Sequence, residues 1–150
     1  MVAVGLWAAQ LGGRALWVLP ASFVGTMVLG GLAGMAGLPL PSVELGIVGS
    51  VLVLGGLVAL QPKLPLAACA AITALFAVFH GYAHGAEMPA AASPWLYGMG
   101  FALATALLHG AGIGAILAIR NVARGSAGTI AVRGSGALVG IGGVALVLMG

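Results

Sequence analysis

Long apolar segments separated by short polar breaks dominate the pattern of this chain. Five segments are long enough, or nearly so, to cross a hydrocarbon core of roughly 30 Å as helices. They are Leu16–Gly37, Val43–Leu60, Leu64–Ala83, Pro94–Ile119 and Ser135–Met149. Prolines mark most of the breaks, and Ser42 and Ser93 stand where helix N-caps belong. The pattern predicts an all-α, polytopic transmembrane helical bundle that forms one domain over residues 1–150.

The two ends of the pattern are less regular. The apolar stretch 1–11 rises only about 16 Å as a helix, which is too short to span a bilayer. It lacks a basic start and a cleavage site, so it is expected to be a re-entrant stub or an incomplete first helix rather than a signal peptide. The Gly- and Arg-rich stretch 120–134 is predicted to be a loop. The last segment is then short, and it would need tilt or local thinning of the bilayer.

Composition and charge place the chain in a membrane. It is 62% hydrophobic and 5% charged, whereas soluble domains carry roughly a quarter charged residues. The basic residues fall in alternate loops, and they are Arg14, Lys63, Arg120, Arg124 and Arg133. Under the positive-inside rule these loops face the cytoplasm, and the loop after His84 faces outward. The scattered basic residues do not indicate a nucleic-acid partner.

Three potential metal ligands lie close together at the end of the Leu64–Ala83 segment. On a helix, His80, His84 and Glu87 fall within about 60° of one another, so one face carries two imidazoles and a carboxylate. Polar groups at membrane depth are costly, and such clusters mark functional sites. This donor set suits nickel, cobalt, zinc or copper. The alternative is a helix end with two interfacial histidines and a solvated glutamate.

Glu44 and His109 are the remaining candidate ligands. Glu44 either is stabilised by the N-terminus of its own helix or joins the outer cluster. His109 lies about 22 Å below Pro94, well inside the membrane. It is either a neutral histidine bonded to a neighbouring carbonyl or an inner relay on an ion path. The aromatic residues that are predicted to form an interfacial belt are Trp7, Tyr82, Trp95 and Tyr97.

An enzyme is not expected. A metalloprotease motif of the His-Glu-x-x-His type needs a glutamate directly after its first histidine, and that position is Gly81. Cys69 is the single cysteine, so neither a disulfide nor a cysteine-based metal site is expected. No resident cofactor is predicted, because a bound metal ion would be cargo.

The histidine-rich motif resembles that of a known family. The run Phe79–Pro89, with Pro65-Leu66 before it and Leu107-Leu108-His109 after it, is similar to the HupE/UreJ family of small bacterial inner-membrane proteins. The resemblance covers essentially the whole chain. The family usually carries an earlier motif, a His-Pro pair followed by Asp-His, on its first transmembrane helix. This chain has no aspartate and no histidine before His80, so an N-terminal piece is expected to be missing.

The resemblance implies a role in metal supply. It indicates import of a divalent transition metal, nickel or in some relatives cobalt, for maturation of hydrogenase or urease. The alternative is an accessory membrane protein that holds the metal without transporting it. A deep histidine such as His109 favours transport, whereas ligands only at the surface favour holding. The expected partners are a divalent metal ion and the lipid bilayer, and homo-oligomerisation is left open.

Overall fold

The computed structural model describes residues 1–123 and 125–149, which form six helices joined by short connections. They are α1 Val2–Leu11, α2 Ala15–Met35, α3 Val43–Leu60, α4 Leu66–Ala86, α5 Pro94–Val122 and α6 Ser126–Met149. Helices α2 to α6 have 18 to 29 residues and are apolar enough to cross a membrane. The predicted all-helical bundle, with five full spans and a short first helix, is confirmed. Arg124, predicted on the cytoplasmic side, lies outside the described residues.

Most helix ends agree with the sequence signals. Ser42 and Ser93 precede α3 and α5, and Pro94 is the first residue of α5, although neither serine side chain caps its helix. Helix α4 continues three residues beyond the predicted end at Ala83. His84 therefore lies in the last turn of α4, and Glu87 follows the helix directly.

The C-terminal region differs from the prediction. Helix α5 continues to Val122 and α6 begins at Ser126, so the predicted loop over residues 120–134 is wrong. Arg133 is tolerated inside α6 because its Nε donates a hydrogen bond to the carbonyl oxygen of Ala59, 2.8 Å away in the last turn of α3. A long basic side chain can thus reach the negative end of a neighbouring helix. With 24 residues, α6 rises about 36 Å and needs no thinning of the bilayer.

Helix α1 belongs to the core of the bundle. Seven of its ten residues are buried, since α2, α3 and α5 all pack against it. Trp7 is only 1% exposed, so its predicted place in the interfacial belt is wrong. Trp95, at the start of α5, is 83% exposed. The short helix is apolar on every side because it is surrounded by protein.

Glycines allow the closest helix contacts. Gly81 and Gly85 of α4 lie against the backbone carbonyls of Met27 and Gly31 of α2, where a methyl group would overlap the carbonyl oxygens. Small residues permit such approach inside membranes. Gly81 and Gly85 therefore allow the close contact between α2 and α4. Similar glycine contacts join α1 to α5 and α3 to α6, through Gly5, Gly112, Gly55 and Gly136.

Hydrogen bonds gather several polar side chains at one end of the bundle. The Arg120 guanidinium donates to the carbonyl oxygen of Gln10, 3.2 Å away, and the Gln10 amide donates to the carbonyl oxygen of Val58 at 2.9 Å. Together with Arg133 on Ala59, these bonds tie the ends of α1, α3, α5 and α6 to one another. Arg120 and Arg133, which flank the short connection between α5 and α6, therefore lie at the same end of the bundle.

Candidate functional site

His80 presents one ring nitrogen that is free to bind a ligand. Its Nδ1 lies 3.0 Å from the carbonyl oxygen of Phe76, one turn earlier in α4. A carbonyl oxygen can only accept a hydrogen bond, so Nδ1 carries the proton and Nε2 of the neutral ring keeps its lone pair. A backbone carbonyl that holds one nitrogen of an imidazole in this way is the usual support for metal binding through the other.

His84 is held against α5 by aromatic contacts. Its ring lies 4.9 Å from that of Phe101, centroid to centroid, with 34° between the planes. Tyr97 in turn packs on Phe101 at 6.2 Å. Glu87 is exposed immediately beyond the end of α4. His84 and Glu87 therefore lie at the same end of the bundle, and His80 lies one turn deeper.

His109 is the most unusual polar residue of the bundle. Its side chain is 1% exposed, and neither ring nitrogen has a hydrogen-bond partner among the described residues. The alternative in which a neighbouring carbonyl binds His109 is therefore not found in that part of the chain. Burying polar atoms without partners costs free energy, and such groups in native proteins call for an explanation. A ligand that visits the imidazole provides one.

One aromatic residue connects the two deeper histidines. Phe23 of α2 is fully buried and packs edge-to-face on His80, with centroids 5.6 Å apart, and on His109, at 5.1 Å. The two imidazoles come from α4 and α5. Helix α2 therefore stands between the helices that carry the candidate ligands.

The structure does not gather the predicted ligands into one closed site. Within residues 1–123 and 125–149, no three His, Cys, Asp or Glu side chains lie close enough to hold a metal together. Glu44 is exposed in the first turn of α3. The metal-binding roles of His80, His84, Glu87, His109 and Glu44 stay predictions.

Sequence reasoning overlooked three residues around the histidines. They are Phe23, Met27 and Thr105, and all are buried. The Thr105 hydroxyl donates a hydrogen bond to the sulfur of Met27, 3.5 Å away. Thr105 and His109 are four residues apart and so share one face of α5. That pair of polar residues inside an apolar helix was the signal available in the sequence.

Comparison with known proteins identifies the family. The sequence profile described as HupE / UreJ protein matches residues 1–146. The chain belongs to the HupE/UreJ family. It is 41% identical over 148 residues to Protein HupE of Rhizobium leguminosarum bv. viciae, and the alignment covers 99% of this chain and 75% of that protein. No solved structure shows a significant match to this family member. The resemblance to the HupE/UreJ family, which is associated with nickel or cobalt uptake, is thereby confirmed.

Proposed function

We propose that this HupE/UreJ family member imports a divalent transition metal ion, nickel or cobalt, across the bacterial inner membrane for hydrogenase or urease maturation. His109 carries the proposal. Its imidazole is buried about 22 Å from the start of α5, and both ring nitrogens lack partners among the described residues. Such a residue cannot contribute to metal binding in a protein that only holds metal at its surface. It can bind an ion that crosses the bundle.

The proposed path begins at the end of α4. Counting the rise per residue from Ala86, His84 lies about 3 Å and His80 about 9 Å inside that end. Glu87 adds a carboxylate at the mouth, and Glu44 a second one at the start of α3. Imidazole and carboxylate are ligands that nickel and cobalt accept. The ion would pass from these groups to His109.

Weak successive sites suit a path better than one tight site. Conduction requires binding that is favourable enough for entry and weak enough for release. The candidate ligands lie at successive depths, and no closed group of three acidic, thiol or imidazole side chains occurs in the described part of the chain. The membrane potential adds an inward driving force of about 4.6 kcal/mol for a dication at roughly 100 mV.

Metal uptake in a nickel-limited strain tests the proposal. His80→Ala and His84→Ala are expected to abolish accumulation of nickel or cobalt, while protein level and membrane insertion stay unchanged. Ser50→Ala is the control, because Ser50 is a buried polar residue of α3 whose hydroxyl donates within its own helix, to the carbonyl oxygen of Ile47. Normal uptake by a variant in which both His80 and His84 are replaced contradicts the proposal.

A further inference from the structure

Helices α2 and α5 pack in an antiparallel register with a contact at every turn. Phe23 meets His109, the hydroxyl of Thr105 meets the sulfur of Met27, and Gly31 lies beside the ring of Phe101. Each contact is four residues from the next on both helices, or about 6 Å along the axis. The ring of Phe101 also packs on His84. Along the helix axes, the Met27–Thr105 contact therefore lies between His84 and His109.

Met27 lies where three helices meet. Its side chain is fully buried, and its sulfur faces Thr105 on α5. Its backbone carbonyl lies against Gly81 of α4, the residue after His80. The thioether therefore lies in the interior of the bundle beside α5, one turn from His109, and the backbone of Met27 lies against α4, the helix that carries His80 and His84.

We propose that the sulfur of Met27 binds the metal ion on its path through the bundle and sets the metal selectivity of transport. This inference rests on the proposed import function. A thioether is a soft, polarisable donor, which binds late transition metals and has low affinity for hard ions such as magnesium and manganese. An ion that moves from His84 toward His109 meets this sulfur halfway. The Thr105 hydroxyl orients the sulfur through a weak hydrogen bond that a metal ion can replace.

X-ray absorption at the nickel edge tests the ligand directly. The protein is purified in detergent in a Cys69→Ala background, which removes the single thiol, and is loaded with nickel. We expect sulfur in the first coordination shell of the parent protein and its loss in Met27→Leu, which conserves side-chain volume and therefore the fold. Met99→Leu is the control, because Met99 is 67% exposed on the outside of the bundle, and its sulfur shell should match that of the parent.

Uptake in competition with manganese tests selectivity. The preference for nickel should fall about tenfold in Met27→Leu, which corresponds to roughly 1.4 kcal/mol, and should be unchanged in Met99→Leu. The role of Met27 is overturned if the parent protein shows only nitrogen and oxygen in the first coordination shell, or if the sulfur shell remains in Met27→Leu. It is also overturned if Met27→Leu leaves the preference for nickel over manganese unchanged. In those cases nickel uptake by the parent protein leaves the import function standing. A parent protein that takes up no nickel overturns both.

Discussion

The ring of Phe23 packs edge-to-face on the imidazole of His109, with centroids 5.1 Å apart and 87° between the planes. The same ring also packs on His80, with centroids 5.6 Å apart. A single residue of α2 thus positions imidazoles from α4 and α5. The arrangement makes Phe23 a positioning residue for both histidines, although it has no metal-binding atom of its own.

Replacing Phe23 should therefore impair uptake without touching a ligand. Phe23→Leu keeps most of the apolar volume but loses edge-to-face contacts worth about 0.5–1.5 kcal/mol each. We expect lower nickel accumulation per unit of inserted protein. Leu19→Ala is the control, because Leu19 is fully buried one turn away on the same helix. Equal uptake losses in the two variants would mean that general core packing, rather than support of the histidines, explains the effect.

Replacing His109 should lower metal transport and leave metal binding at the end of α4 intact. His109→Leu fills the buried space but offers no ring nitrogen, and it is expected to lower uptake about tenfold or more, the effect of roughly 1.4 kcal/mol on the barrier. Calorimetric titration of the purified variant should still show nickel binding at the end of α4, because His80 and His84 are intact. Uptake by His109→Leu that equals that of the parent protein would contradict a role of His109 in the ion path.

Glycine contacts between α2 and α4 should be sensitive to a single methyl group. Gly81→Ala forces its Cβ against the carbonyl of Met27 and is expected to cost about 1–3 kcal/mol or more in detergent unfolding. Gly25→Ala is the matched control on α2, where nothing lies within 4 Å of the added methyl group. That variant should be neutral or more stable by about 0.4–1 kcal/mol. Similar unfolding midpoints for both variants would contradict the close contact.

The basic loops predict the orientation in the membrane, and labelling measures it. With Cys69→Ala as background, a cysteine at Ala90 should react with an impermeant reagent added from the periplasmic side. A cysteine at Ser126, at the start of α6, should react only from the cytoplasmic side. Both positions are exposed. The reverse pattern would overturn the orientation and place His84 and Glu87 at the inner face.

The candidate site was predictable only in part. His80, His84 and His109 stand out as ionisable residues in apolar segments, and their relative depths follow from helical rise. Their neighbours do not follow, because Phe23 and Met27 look like ordinary core residues in an apolar sequence. Only the contacts of α2 with α4 and α5 reveal that these two residues lie among the histidines.

Hydropathy along the chain was enough to predict an all-helical membrane bundle with five full spans. In lipid every backbone polar group must be bonded within its own segment, so hydropathy and prolines decide where helices run. Packing between helices accounts for the burial of Trp7, the start of α6 ahead of Arg133, and the contacts of Phe23 with both His80 and His109. Each depends on which helices are neighbours. That choice rests on close contacts between distant residues, such as Gly81 against Met27, which hydropathy along the chain does not record.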